Sequence, residues 1–247
     1  VLHGLRHGSR RTASVLCRRG DMVGITGRSV SGNLRVDMST SPPCMLQLLQ
    51  NQNTGAFSGC RYFFTYGTST LMIEYRMPHV NEINRELFRH FKRHQAVTKC
   101  WRKISGVWCI KDIAFTDEWT ERDYAFLVSC LKNTVQTGGM VSGAFFLEQL
   151  KGFVSVESAL FGRNKEYLDL SSIHVSEDMR GRGIGRELFR IAKNRAKQHG
   201  AKKLYISAHS AVESQAFYRA MGCVEAQEYN PEHVAKEPCD CQLECTV

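Results

Sequence analysis

The amino-terminal part of this 247-residue chain lacks two charged residue types. Residues 1–70 contain neither lysine nor glutamate and carry eight arginines against two aspartates. This stretch therefore holds +6 of the formal net charge of +9 and leaves +3 for the rest. A basic arm of this kind is typical of nucleic-acid binding or of a transit peptide. We expect neither, because glycines within residues 1–20 interrupt any amphipathic helix.

Long apolar runs are also missing. No run approaches the roughly 18 residues that a membrane span needs, and the amino terminus lacks the apolar segment of a secretory signal. Ten cysteines without such a signal indicate a reducing compartment with free thiols, so we predict a cytoplasmic protein that does not contact membranes.

The change in composition predicts two parts. We expect residues 1–71 to be a low-complexity basic leader that is either disordered or not native to the domain, with Met72 as the natural start. Residues 72–247 have ordinary globular composition and should form the folded domain.

A glycine-rich stretch, Arg180–Gly185 (RGRGIG), joins a predicted strand to a predicted helix. The apolar run Tyr167–Val175 is typical of one strand buried on both faces. The helix is indicated by Leu188, Ile191, Ala192 and Ala196. The first N–H groups of a helix lack internal partners and lie at the positive end of its dipole, so they suit a pyrophosphate. We interpret the stretch as a phosphate-binding loop; the alternative is a glycine turn without a ligand.

Two better-known phosphate loops do not fit. No Gly-Lys-Ser/Thr sequence follows, which excludes a Walker loop. Glu187 stands where a Rossmann fingerprint needs its third glycine.

The pattern [RQ]-x-x-G-x-[GA], matched by Arg180, Gly183 and Gly185, resembles the acyl-coenzyme A loop of the GNAT N-acetyltransferase superfamily. A second segment, Phe217–Gly222 (FYRAMG), resembles that family's F-Y-x-x-x-G segment. Both motifs occur in the family's order and in the expected strand and helix setting, which makes the combined signal specific. The chain therefore resembles a bacterial-like acetyltransferase of small molecules or proteins.

The order of predicted elements suggests an α+β or α/β domain, in agreement with the resemblance. The resemblance implies a mixed, mostly antiparallel central sheet of about six to seven strands, flanked by helices. It also implies transfer of an acetyl group from acetyl-CoA, the cosubstrate, to a primary amine of a small molecule or protein. No metal is needed, and a homodimer is left open.

The resemblance assigns roles in cosubstrate binding and catalysis to individual residues. Backbone groups of Ile173, His174 and Val175 would align the pantetheine arm. The pyrophosphate would be held by Arg180, Gly181, Arg182, Gly183, Ile184, Gly185 and Arg186. Tyr218 is the predicted general acid for the leaving thiolate, and its alternative role is packing.

The general base is less sharply defined. Asp169 is our prediction, because histone-type members carry a glutamate at this position. Glu157, His174 and a water relay remain alternatives. Ala211 departs from the family, which often has asparagine there. Glu157, Glu166 and Asp169 together favour a cationic acceptor.

Further elements are predicted from periodicity. Residues Asn81–Ile104 carry an apolar stripe typical of a helix, and Thr120–Asp123 is a variant capping box. Strands are predicted at Met140–Leu147 and Leu150–Ser158, and a helix at Val212–Met221. Closing strands are predicted at Val224–Tyr229 and Asp240–Thr246. Alternation places Cys239, Cys241, Leu243 and Cys245 on one strand face, which favours packing over a metal site.

Two other functions stay open. One is a catalytically inactive sensor that binds acyl-CoA, which would tolerate Tyr218→Phe. The other, less favoured, is a nucleic-acid-binding protein that would use the basic helix over residues 85–103.

Overall fold

The computed structural model describes residues 60–66 and 69–247. Residues 1–59, most of the predicted leader, lie outside the described residues. The predicted boundary between residues 71 and 72 falls inside a strand, Ser69–Arg76, which pairs with the strand Cys60–Tyr66. The first sheet therefore begins before the predicted start of the domain.

Strands predominate in the described part of the chain. They are β1 (Cys60–Tyr66), β2 (Ser69–Arg76), β3 (His94–Ile104), β4 (Val107–Glu118), β5 (Met140–Phe146), β6 (Gln149–Val156), β7 (Tyr167–Asp169), β8 (Ser172–Val175), β9 (Lys203–Ala208), β10 (Val224–Glu225) and β11 (Cys241–Thr246). The helices are α1 (Glu121–Gln136), α2 (Ile184–Gln198), α3 (Val212–Ala220) and α4 (Pro231–Lys236), with short 3-10 turns at Glu86–Phe88 and Glu177–Met179. Across these residues, we find no helix that combines the length and the apolarity of a bilayer span.

The strands form three sheets. One has the order β1-β2-β5-β6-β8, and all its neighbours are antiparallel. The second has the order β10-β11-β9-β7, in which only β7 and β9 are parallel. The hairpin β3-β4 is separate. The predicted mixed, mostly antiparallel arrangement flanked by helices is confirmed, although it is divided between two main sheets.

Helices cover both faces of the first sheet. Neighbouring residues of a strand point to opposite faces. Val154 of β6 accordingly packs with Ile184 and Leu188 of α2, whereas Phe153 packs in a second cluster with Leu127 of α1. Helices on both faces explain why all but one residue of β5 and all but one residue of β6 are buried.

The prediction of one strand over Tyr167–Val175 is wrong, because the chain changes sheets in the middle. The N–H of Leu170 donates to the carbonyl of Tyr205 in the second sheet at 2.9 Å. The next N–H, that of Ser171, donates to the carbonyl of Ser155 in the first sheet at 3.1 Å. Apolar periodicity records burial but not the identity of the neighbouring strand, so it could not reveal this change.

The predicted helix over Asn81–Ile104 is also wrong. Residues 94–104 form β3, and a shift in register between Val97 and Lys99 marks a bulge. Both Val97 and Cys100 are buried. A bulge adds one residue to a strand, so inward-facing residues become three apart and imitate helical spacing. The basic helix that supported nucleic-acid binding is therefore absent from residues 94–104.

Other local predictions are confirmed. Thr120 is the N-cap of α1, and Asp123 completes the capping box. The β5-β6 loop consists of Leu147 and Glu148, one residue earlier than predicted, with φ of 48° and 61°. The helix predicted at residues 212–221 is α3, which ends before Gly222, whose φ is 82°.

The carboxy-terminal segment differs from the prediction in one element. The strand expected at residues 224–229 is limited to β10, and the helix α4 follows it. Cys241, Leu243 and Cys245 of β11 lie together in the main core, as their alternation predicted.

Candidate active site

The glycine-rich stretch forms a tight loop between β8 and α2. Gly181 and Gly183 have φ of 75° and 78°, in the left-handed region that disfavours residues with a Cβ. Gly183 is the N-cap of α2 and brings no side chain over the helix terminus. Among the residues described, no backbone carbonyl accepts a hydrogen bond from the N–H groups of residues 181–186. The loop therefore offers a row of donors at the positive end of a helix, where anions bind.

The approach to the loop is fixed by buried polar contacts. Lys151 Nζ donates to Asp178 Oδ2 at 2.8 Å and to the carbonyl of His90 at 2.9 Å. Ser176 Oγ accepts from the N–H of Lys92 at 2.9 Å. The lysine side chain is 8% exposed and that of Asp178 is 37% exposed, so solvent screens this ion pair only in part. These bonds hold the end of β8 and the start of the loop in one position.

The arginines of the loop differ in placement. Arg180 and Arg186 line a large cleft, and the Nε of Arg180 donates to the carbonyl of Val175 at 3.3 Å. Arg182 is exposed and does not line this cleft. At Gly185, a Cβ would lie 3.2 Å from Phe217 Cε2, so this glycine permits close packing of α2 on α3.

Strand β8 is an edge of its sheet and pairs only with β6 among the described residues. The N–H of Ser176 donates to the carbonyl of Lys151 on the β6 side at 2.8 Å. Because peptide directions alternate along a strand, Ile173 and Val175 turn their N–H and C=O groups to the open edge. This edge could pair with an extended ligand.

The cleft lies where β8 and β9 separate and has a volume of about 2110 Å³. We call it the central cleft. Its lining includes every predicted site residue except Arg182: Asp169, Ile173, His174, Val175, Arg180, Gly181, Gly183, Ile184, Gly185, Arg186 and Tyr218. The structure thus brings the loop, the strand edge and both predicted catalytic side chains to one cavity.

Tyr218 of α3 lines the central cleft and is 9% exposed. Its ring contacts Phe217 and Phe189, with centroids 5.2 Å and 6.4 Å away. Burial raises the pKa of this phenol, and the neighbouring Cys223 and Asp240 raise it further. The hydroxyl therefore stays protonated at neutral pH.

Asp169, at the end of β7, meets a residue that the sequence analysis did not identify. Its Oδ2 lies 2.9 Å from Nε2 of His233 on α4. Its Oδ1 is buried without a hydrogen-bond partner among the described residues. The hydrogen bond with Asp169 raises the pKa of the His233 imidazole, against the opposing effect of burial.

Glu157 occupies the same region. Its Oε1 accepts from Thr134 Oγ1 at 2.8 Å and from Ser171 Oγ at 2.6 Å, and Ser171 Oγ also lies 2.8 Å from Ser155 Oγ. Glu166 does not line the central cleft, and its Oε1 lies 3.7 Å from Lys203 Nζ. Of the three acidic residues predicted on the acceptor side, Glu166 therefore does not contribute to the cleft.

His174 has an apolar and cationic environment. Its ring lies against Trp119 and Phe153, with centroids 4.8 Å and 5.3 Å away. Burial lowers the pKa of this imidazole well below its usual value, and Arg93 and Arg180 lower it further. His174 is therefore neutral at physiological pH. Its aromatic contacts agree with the packing role more than with that of a base.

The hairpin β3-β4 explains Ala211. This residue is fully buried, forms a bridge with Cys100 of β3, and packs with Val97. The N–H of Trp101 donates to the carbonyl of Ser210 at 2.8 Å. The hairpin thus occupies the space that a larger side chain at position 211 would need.

Sequence reasoning missed His233 and Asp240, which both line the central cleft. Burial, and then the nearby Glu237, raises the pKa of Asp240 to about 7. Asn230 followed by Pro231 is the N-cap and first residue of α4. That pair is a recognised helix-start signal, and it would have located this helix.

Residues 94–223, just over half of the chain, match the model of the acetyltransferase (GNAT) family. No curated protein matches the chain.

Among solved structures, the chain is similar to nourseothricin acetyltransferase, with 16% identity over 70% of this chain and 98% of that one and a TM-score of 0.51. It is also similar to a protein from Bacillus anthracis str. Ames, assigned as a streptothricin acetyltransferase, in complex with acetyl coenzyme A. Here the identity is 16% over 71% of this chain and 96% of that one, with a TM-score of 0.50. At such identities, the likeness shows a shared fold and confirms the predicted fold class.

Proposed function

Because this chain belongs to the GNAT acetyltransferase family, we propose that it transfers the acetyl group of acetyl-CoA to a primary amine. The observation that carries the proposal is the loop of residues 181–186 at the start of α2: its N–H groups have no backbone partner among the described residues, and all its residues except Arg182 line the central cleft. A helix terminus with two left-handed glycines suits a pyrophosphate, because no side chain covers the donors.

The remaining cleft residues fit the other parts of this cosubstrate. The outward N–H and C=O groups of Ile173 and the outward C=O group of Val175 would bond the amides of the pantetheine arm, in the manner of an added strand. Arg180 and Arg186 would add charge-assisted bonds to phosphate. The N–H of Val175 is the donor that we assign to the oxyanion of the tetrahedral intermediate.

Tyr218 supplies the acid. When the C–S bond breaks, the leaving thiolate needs a proton, and the tyrosine carries one throughout the physiological pH range. We assign Asp169 a role towards the acceptor amine. Its carboxylate is held by a hydrogen bond with His233.

The charge of the cleft supports a cationic acceptor. Away from the loop, the acidic residues of the cleft lining are Asp117, Asp123, Glu157, Asp169, Glu213, Glu232, Glu237 and Asp240, against the cationic side chains of Arg93 and Lys236. An excess of carboxylates on the acceptor side would attract ammonium groups and raise their local concentration. We propose a small amine or protein amine with more than one positive charge.

The test compares a dicationic with a monocationic amine. Thiol release from acetyl-CoA is followed with putrescine and with propylamine, using the Glu157→Gln variant. The kcat/KM for putrescine should fall about tenfold, because one carboxylate that meets the second ammonium is lost, and the value for propylamine should fall less. Glu148→Gln, at the exposed β5-β6 loop, is the matched control.

Equal losses for both amines would contradict the cationic-acceptor proposal. Absence of thiol release with any amine, despite acetyl-CoA binding, would instead favour the sensor. We also propose a reducing compartment such as the cytoplasm, since the seven cysteines from Cys100 to Cys245 are free thiols.

A further inference from the structure

Helix α4 places His233 at the end of the central cleft. The helix begins after Asn230, whose side chain accepts from the N–H of Glu232 at 3.0 Å. The N–H of Asn230 donates to the hydroxyl of Tyr205 at 2.9 Å, and Tyr205 is fully buried in β9. The ring of His233 lies against Tyr205, with centroids 5.6 Å apart. The core of the second sheet therefore fixes the imidazole.

The imidazole lies between Asp169 and the cleft. One carboxylate oxygen of Asp169 is taken by His233 Nε2 at 2.9 Å, and the other is buried. The histidine side chain is 24% exposed, against 15% for the aspartate. A substrate amine in the cleft would thus meet the imidazole before it met either carboxylate oxygen.

We infer that His233 is the proton acceptor for the substrate amine and that Asp169 is a positioning residue that holds the ring. The inference rests on the proposed acetyl transfer. With Nε2–H donating to Asp169 Oδ2, the lone pair of the imidazole is on Nδ1. This nitrogen is the one available to the substrate.

The proton balance is complete without another reactant. An N–H bond of the substrate ammonium breaks as Nδ1 takes the proton, and the freed electron pair attacks the thioester carbonyl carbon. When the C–S bond breaks, Tyr218 protonates sulfur. The nitrogen then loses a second proton, which returns through solvent to the phenolate of Tyr218. The imidazolium of His233 releases its proton to solvent.

The charges around His233 favour such a base. Asp169 on β7 raises the pKa of the imidazole, and Glu232 on α4 also raises it. Burial and Lys236 on α4 oppose them, while Asp240 beside β11 and Tyr205 on β9 complete its surroundings. The raised pKa makes the imidazole a stronger proton acceptor, as a general base requires. The rate should therefore rise as the pH passes through this value and His233 loses its proton.

The experiment measures kcat against pH at saturating acetyl-CoA, by thiol release in the full-length protein. The acceptor is the best substrate among propylamine, putrescine and spermidine. His233→Gln should lower kcat about 100-fold and remove the acid limb of the profile, in line with the usual contribution of a general base. Asp169→Asn should lower kcat less and move the acid limb to lower pH, because the pKa of His233 falls when the carboxylate charge is lost.

Two controls accompany these variants. The KM for acetyl-CoA should not change in either variant, and His199→Gln, outside the cleft lining, should leave kcat and its pH profile unaltered. An unchanged kcat and acid limb in His233→Gln would overturn the inference. If Asp169→Asn lowered kcat as much as His233→Gln and did not shift the acid limb, Asp169 would be the base. No turnover of any of the three amines by the wild type would refute the proposed transfer itself.

Discussion

At the level of single residues, the proposed chemistry depends on Tyr218 and His233, whose pKa values are raised for different reasons. Burial raises the pKa of Tyr218, so the phenol is neutral and available as an acid. The charge of Asp169 raises the pKa of His233, so the imidazole binds a proton more readily. Environments that separate an acid from a base in one cleft are typical of active sites.

Replacement of Tyr218 by phenylalanine tests the acid. The change retains the ring that packs against Phe189 and Phe217, so the fold and the affinity for acetyl-CoA should not change. The kcat for thiol release should fall about 100-fold, because the thiolate leaves without a positioned proton donor. Tyr229→Phe, at an exposed tyrosine outside the cleft lining whose hydroxyl donates to Glu225, should not change kcat. Full activity of Tyr218→Phe would limit this tyrosine to packing.

A site residue could be predicted from the sequence when its role depends on neighbouring residues of the chain. The loop could be recognised from the sequence, because glycine is the residue that adopts positive φ readily, and Gly181 and Gly183 both have it. His233 could not be paired with Asp169, because 64 positions separate them and only the tertiary fold brings them together. The roles predicted for Tyr218 and Asp169 remain predictions.

At the level of secondary structure elements, α1 forms one wall of the central cleft and begins at a capping box. The N–H of Thr120 donates to Asp123 Oδ2 at 2.8 Å, and Thr120 Oγ1 accepts from the N–H of Asp123 at 3.4 Å. Such caps satisfy backbone donors that a helix terminus leaves unpaired.

Thr120→Ala should therefore lower the free energy of unfolding by about 1 kcal/mol. For a domain of this size, the midpoint of thermal unfolding should fall by about 2–4 °C, as monitored by circular dichroism. Thr98→Ala, on an exposed position of β3, is the matched control. Equal midpoints for the two variants would show that the box does not stabilise α1.

Two elements show the limit of periodicity. The bulge of β3 spaces Val97 and Cys100 three residues apart and imitates a helix. The run Tyr167–Val175 shows one uninterrupted pattern of apolar residues but joins two sheets. The N–H groups of Leu170 and Ser171 donate to strands of different sheets. Both errors arise because burial can be inferred from a sequence pattern, whereas strand pairing depends on residues far away in the chain. Caps and glycine turns were predicted better, since their causes are local.

At the level of the whole molecule, the change of sheets in residues 167–175 has a functional consequence. It separates β8 from β9, and the central cleft occupies the space between the two sheets. The glycine loop, with Arg180 and Arg186, lies at one side of this cleft, and most of the carboxylates of the cleft lie away from the loop. An anionic cosubstrate and a cationic acceptor would thus be attracted to different regions of one cavity.

The most direct test of the account is calorimetric titration of acetyl-CoA into the full-length protein and into Gly183→Glu. The substitution places a side chain at φ 78° and a negative charge at the start of α2, where the phosphates would bind. Gly200→Glu is the matched control, because Gly200 has φ of 82°, an open surrounding, and a position beyond the other end of the same helix.

The account predicts binding in the micromolar range for the wild type and for Gly200→Glu, and no binding for Gly183→Glu. Folding of each sample is checked by circular dichroism before titration. Absence of binding by the folded wild type, or undiminished binding by Gly183→Glu, would contradict the central claim that residues 181–186 hold the pyrophosphate of acetyl-CoA.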